Sequence, residues 1–213
     1  MAQTTADMTC DYIKQHPDIK SCLKKGLINY SSLARMISKE IGTEKKTSKE
    51  AILVSARRLR EKLRQEENKD QMISELLAKS EMEIKNKICV IVLDKHIDID
   101  KLDELEDSIR ARSGAFYFIE GSENYSIITQ DKYGDEIDKR FHAKIIKRHD
   151  DLVMINFKSP KEIEKTTGVI SYLSSLFSEN EVNIIEMFSC WTDTFFVISS
   201  SDFNKAVEFL KFG

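Results

Sequence analysis

The chain has 213 residues, 41% of them hydrophobic and 32% charged, with a formal net charge of −3. This excludes a disordered chain, and the length points to two or three small units rather than one large core. No run approaches the ~20 apolar residues needed to span a bilayer, and no basic start with an apolar stretch opens the chain, so the expectation is a cytoplasmic protein with no membrane partner.

Two prolines and seven glycines leave little material for long linkers, so the elements follow one another through short turns. The charge is uneven. The first 70 residues carry fifteen Lys or Arg against ten Asp or Glu, a surplus of +5, and the remainder carries −8. This asymmetry turns the N-terminal part toward an anionic partner. The four cysteines, Cys10, Cys22, Cys89 and Cys190, form no CxxC pair, which argues against a zinc site, a redox motif or a disulfide framework.

Residues 1–68 read as a small all-α, helix-turn-helix-like domain. One helix starts at Asp11 and runs to Gln15. Pro17 opens the next, which stops at Gly26. In NYSSLARMISKEIG, Leu33, Met36, Ile37 and Ile41 share a face, with Asn29 or Ser31 as N-cap and Gly42 as the stop. A polar turn leads into AILVSARRLREKLR, where Ile52, Leu53, Ala56, Leu59 and Leu63 recur at helical spacing. Lys45, Lys46 and Lys49 of that turn, with Arg57, Arg58, Arg60 and Arg64 on the other sides of the helix, are the candidates for contacting DNA phosphates or bases.

Residues 69–86 are expected to connect, through a helix carrying Met72, Ile73, Leu76 and Leu77. From 87 to 149 the order is strand (ICVIVLD), helix (IDKLDELEDSIRAR), two strands (AFYFIE and YSIITQ) joined at GSEN, a short helix near Asp135 to Phe141, and a strand AKIIK. From 150 to 213 the order repeats as DLVMINFKS, the helix TTGVISYLSSLFSEN, a hairpin turning at Trp191 to Asp193, and the helix DFNKAVEFL, with no final strand. Either another segment fills that edge or the sheet stays short. The class is α+β, with tandem ferredoxin-like βαββαβ modules behind a helical domain.

Catalytic and metal signals are lacking. His16, His96, His142 and His149 have no metal-ligand spacing, and no GxSxG, P-loop or GxGxxG occurs. The acidic run Asp94, Asp98, Asp100, Asp103 and Glu104 reads as a solvated helix entrance. No catalytic residue, metal ligand or cofactor is assigned, and the chain is not read as an enzyme.

The segment SPKEIEKTTGVISYLSSLFSENEVNIIEMFSCWTDTFFVIS resembles the ACT domains at the regulatory end of aspartate kinases. The likeness rests on the Thr-Gly-Val helix entry, the helix with LSSLF, the exit ENEVNI and the hairpin SCWTDTFFVI. Residues 87–149 are similar by element order and less by sequence, as a degenerate ACT-like module. The resemblance implies a module that pairs, as a homodimer, and binds a small ligand, an amino acid. Its candidate residues here are Thr167, Gly168 and Val169 at the helix entry, and Asn183, Ile184 and Ile185 on the facing strand. A helical unit joined to such a sensor is similar to feast-famine regulators. Two readings follow: a ligand-sensing regulator that binds DNA through its N-terminal helices, or a regulatory or scaffolding subunit that binds an enzyme partner without DNA.

Overall fold

The computed structural model describes residues 3–42, 46–65 and 69–212. It divides into two compact units, Met1–Lys69 and Asp70–Gly213. None of the described helices is long and apolar enough to cross a membrane.

The first unit holds α1 (Thr5–Gln15), α2 (Pro17–Lys25), α3 (Tyr30–Glu40) and α4 (Lys46–Gln65). α1 begins six residues before the expected Asp11, because Thr4 and Asp7 form a capping box: the Asp7 N–H donates to Thr4 Oγ1 at 3.2 Å, and the Thr4 N–H donates to the Asp7 carboxylate at 3.3 Å. The Thr4 hydroxyl, donating to the Asp7 carboxylate at 2.6 Å, and the Thr4 N–H hold that carboxyl below its usual pKa. α2 opens on Pro17 and closes at Gly26, whose φ of 76° is left-handed. That φ favours glycine, and a Cβ there would also displace the end of the Arg60 side chain. Asn29 caps α3 by accepting from the Ser32 N–H at 3.0 Å. α1, α2 and α3 all pack against α4. Ile13, Leu23, Leu33, Ile37, Ile52, Ala56 and Leu63 form their common core.

The second unit begins with α5 (Lys69–Ala78) and continues as β1 (Glu81–Asp94), α6 (Ile99–Ala111), β2 (Phe116–Glu120), β3 (Asn124–Gln130), α7 (Gly134–Phe141), β4 (Ile145–Lys158), α8 (Val169–Glu179), β5 (Ile184–Cys190), β6 (Asp193–Ser199) and α9 (Phe203–Phe209). One six-stranded sheet runs β2-β3-β1-β4-β6-β5, and every pairing is antiparallel. The class is α+β.

Both halves of that sheet depend on two long strands. AKIIK and DLVMINFKS are not separate strands: Ile145–Lys158 is continuous. The stretch 69–86 supplies α5 and the first part of β1. Ile88 to Asp94 pair with β3 as the opening strand of the first module. Glu81 to Lys85 pair with Met154 to Lys158 of β4, the position that the final strand of the second module would take. The edge left open at the C-terminus is therefore filled from the beginning of the unit.

Each long strand switches faces at a bulge. The β1–β4 register shifts between Lys85 and Ile88 and again between Ile88 and Val90, and Lys87 and Asp151 both adopt positive φ, 56° and 54°. A bulge inserts one residue and inverts the alternation of a strand. Met82 and Ile84 thus join the same cluster as Val153, Ile155 and Phe157, beneath α5, α8 and α9. Cys89, Ile91 and Leu93 lie beneath α6 and α7. On the opposite face Ile88, Val90, Ile128, Leu152, Met154, Phe195 and Val197 are buried without a helix. They are covered because the sheet curls. The Tyr117 ring of β2 lies 5.3 Å from both Phe188 of β5 and Phe195 of β6, and Ser126 donates to the Glu186 carboxylate at 2.8 Å.

Candidate functional site

The connection from β4 to α8 is fixed by local bonds. The Ser159 N–H donates to the Thr192 carbonyl at 2.8 Å, and the Ser80 hydroxyl donates to Ser159 Oγ at 3.0 Å. A 3-10 turn follows over Lys161–Lys165, closed by Thr166 Oγ1 donating to the Glu162 carbonyl at 2.8 Å. Trp191, at the β5–β6 turn, donates from Nε1 to Glu164 at 2.6 Å and lies under the Lys161 ammonium at 5.5 Å. The chain then enters α8 through Gly168, at φ 97°.

Of the expected ligand residues, Thr167 and Gly168 are exposed and Val169 is the buried first residue of α8. No side chain caps α8, so its first N–H groups take no bond from a capping side chain, and the positive end of its dipole favours an anion beside it. Beside this entry, α5 and the β4–α8 turn enclose a cleft of about 420 Å³. It is lined by Met72, Leu76, Pro160 and Thr166, with Lys79, Glu75 and Glu162 supplying both signs of charge. α5 reaches the entry itself: a Cβ on Gly168 would sit 3.5 Å from Ile73 Cδ1. Sequence periodicity marked α5 as a connector helix, and nothing in its own residues pointed to this cleft.

The other three expected residues lie elsewhere. Asn183 is exposed on the turn before β5, Ile184 packs on the helix-covered core, and Ile185 faces the opposite cluster. β5 starts at the end of α8 remote from Gly168, and eleven helical residues separate the two ends by about 16 Å. Within one chain the two sets do not meet.

The basic residues of the helical unit divide similarly. Lys45 lies outside the described residues, and of Lys46 only its place at the start of α4 is described. Lys49 is half-buried. Arg60 is half-buried against Gly26, with Nε buried and unpaired. Arg57 lies over the Tyr30 ring at 5.5 Å, and Arg64 is 3.7 Å from Glu61. Arg58 is exposed.

One grouping has no sequence signature. Cys89, Asp131 and Asp150 bring one potential ligand atom each within 4.8 Å of one another. Arg148 donates from Nε to Asp150 at 2.7 Å and from Nη1 to Asp135 at 3.2 Å, and also bonds Asp138. A guanidinium therefore already supplies the positive charge there. Burial pushes the Cys89 thiol up to about 12, which keeps it protonated.

No protein-family model matches the sequence. No curated protein matches it. Among solved structures, the chain is similar to the allosteric aspartate kinase of Clostridium acetobutylicum, at a TM-score of 0.51 and 17% identity, over 61% of this chain and 33% of that one. It is also similar to aspartokinase alpha and beta subunits, at a TM-score of 0.50 and 9% identity, over 64% and 94% of the respective chains. A regulatory subunit of the Thermus thermophilus aspartate kinase, in ligand-free form, superimposes at a TM-score of 0.48 with 12% identity, over 61% and 92%. This chain thus matches about a third of the length of the Clostridium enzyme, and at such identities the likeness is one of fold.

Proposed function

We propose that the chain is a non-enzymatic regulatory protein whose α+β unit senses an amino acid at the entry of α8. The observation that carries this reading is the uncapped helix N-terminus at Gly168 beside a cleft lined by Lys79, Glu75 and Glu162. An amino acid is a small zwitterion: its carboxylate suits the free N–H groups of α8 and the Lys79 ammonium, and its ammonium suits the two glutamates. α5 forms one wall of the cleft and follows the helical unit in sequence, so a ligand that steadies α5 has a direct covalent route to that unit.

Asn183, Ile184 and Ile185 contribute to this site only from a second copy of the chain, because α8 holds them about 16 Å from Gly168. A homodimer with two shared sites is the arrangement in which all six expected residues act together. A thermal-shift screen of the proteinogenic amino acids tests the reading. Saturable stabilisation by one or a few, lost in Gly168→Val, is expected. Additional loss in Asn183→Ala reports the second copy, and silence throughout at millimolar ligand contradicts sensing.

The output of the helical unit has two readings. DNA binding would rest on Lys45, Lys46, Lys49, Arg57, Arg58, Arg60 and Arg64. The engagement of Arg60 with Gly26, Arg57 with Tyr30 and Arg64 with Glu61 favours the alternative, a protein partner, since phosphate contacts need extended, available cations. An electrophoretic shift abolished by Arg57→Glu with Arg58→Glu would restore the DNA reading; a stoichiometric protein co-purifying after nuclease treatment supports the partner.

A further inference from the structure

The curled face of the sheet holds a second cavity, which Arg110 of α6 also lines. It opens between β2 and the ends of β1, β4, β5 and β6, with a volume of about 530 Å³. Its floor is Asn156, only 3% exposed. The Asn156 amide donates from Nδ2 to the Asp193 carboxylate at 2.7 Å. Its Oδ1 is buried and accepts no hydrogen bond. That atom is closed off from the cavity, which leaves the half-buried Asp193 carboxylate as the acceptor a ligand reaches.

The walls are aromatic. Phe188 and Phe195 stack at 4.4 Å with their planes 11° apart, and Tyr117 closes over both. Lys85 brings a cation to the same face: its Nζ donates to the Tyr117 hydroxyl at 3.2 Å. Lys85 pairs across the strands with Met154, and Glu83 pairs with Asn156. Lys85 and Asn156 are therefore diagonal neighbours on one face, with Cβ atoms roughly 7 Å apart. The lining thus carries cations, Lys85, Arg110 and Lys158, and carboxylates, Glu83 and Asp193, with aromatic rings among them.

We propose that this cavity is a second ligand site, which takes a zwitterion carrying an aromatic ring, the chemistry of an aromatic α-amino acid. The ligand ammonium donates to the Asp193 carboxylate, which the Asn156 amide holds in place. Its carboxylate pairs with Lys85, and its ring packs against Phe188 and Phe195. Both signs of charge exclude a simple organic cation or anion as the preferred occupant, and the aromatic walls favour an aromatic side chain over an aliphatic one. The site stands independently of the α8 entry, since none of its residues belongs to that cleft.

The probe is L-phenylalanine, titrated calorimetrically into the full chain. Phenethylamine and 3-phenylpropionate, each lacking one charge, serve as comparison ligands. Saturable binding of phenylalanine is expected, with each comparison ligand at least tenfold weaker. Lys85→Gln and Phe188→Ala, both at half-buried positions that spare the deep floor, are expected to weaken phenylalanine binding tenfold or more while leaving the melting transition cooperative. Gly168→Val is expected to leave it unchanged. Phenylalanine should also slow alkylation of Cys190, an exposed thiol that lines the cavity. The proposal is overturned if phenylalanine shows no saturable binding, if the comparison ligands bind equally, or if binding survives both cavity variants and is lost in Gly168→Val. That last result would place phenylalanine at the α8 entry instead, so the two sites fail separately.

Discussion

Lys87 and Asp151 occupy equivalent places in the two longest strands, each in the left-handed region, at φ 56° and 54°. Each marks the point where its strand passes from one module to the other. Side chains other than glycine pay roughly 1–2 kcal/mol to adopt that conformation, while glycine costs about 0.5–1 kcal/mol in chain entropy. Both residues are exposed. Lys87→Gly and Asp151→Gly are therefore expected to be neutral or stabilising by up to about 1 kcal/mol. Lys87→Val should destabilise by about 1 kcal/mol or more. Urea denaturation of the variants checks both signs.

Because Glu81 to Lys85 occupy the last-strand position of the second module, the start of the unit matters more than its charged sequence suggests. A chain begun at residue 87 lacks that strand and also Ile73, Leu76 and Leu77, which are buried in the same core. It is expected to lose cooperative thermal unfolding. A chain begun at residue 70 keeps all of them and is expected to melt cooperatively. Circular dichroism melts compare the two directly.

The Arg148 cluster gives a pH-dependent prediction. Burial, reinforced by the charges of Asp150 and Asp151, raises the Asp131 carboxyl above its usual pKa, and its Oδ1 is buried without a partner. A raised folded-state pKa means that the ionised form opposes folding. The favourable contribution is complete below the unfolded pKa and is lost as pH rises through the folded one. Asp131→Asn should then raise the melting temperature at pH 7 and lose that advantage near pH 3. Removing the cation acts oppositely. Arg148→Met leaves Asp135, Asp138 and Asp150 without their shared partner and should cost about 2 kcal/mol at neutral pH.

Thiol reactivity reports burial. Cys22 and Cys190 are exposed, and Cys89 is fully buried with its thiol pushed up to about 12. Iodoacetamide at pH 8 should modify Cys22 and Cys190 in the native protein and Cys89 only after unfolding, as peptide mass spectrometry would resolve.

Much of the fold was legible because apolar period and burial agree. Leu33 and Ile37, Ile52 and Ala56, and Leu173 and Phe177 face their cores at the spacing the sequence shows. The two long strands were hidden by Lys87 and Asp151, polar residues whose bulges reverse the alternation and made one strand look like a strand and a linker. α5 read as a connector since its apolar stripe, Ile73, Leu76 and Leu77, is short, and its partners Val153 and Phe177 are remote in sequence. At the α8 entry, Gly168 was visible as a helix start. The separation of Asn183 from it was not, because pairing a turn with a strand start assumes a neighbour that one chain does not provide. The cavity over Asn156 depends on curling that brings Tyr117 to Phe188, a contact between opposite sheet edges that no local pattern encodes.

The proposed function stands on amino-acid binding at the entry of α8. Hydrogen–deuterium exchange of the full chain, measured with and without the amino acid that gives the largest thermal stabilisation, tests it most directly. Slowed exchange is expected at the N–H groups of Val169, Ile170 and Ser171, and from Met72 through the end of α5 to Lys79. Unchanged exchange at those amides with saturating ligand would contradict it.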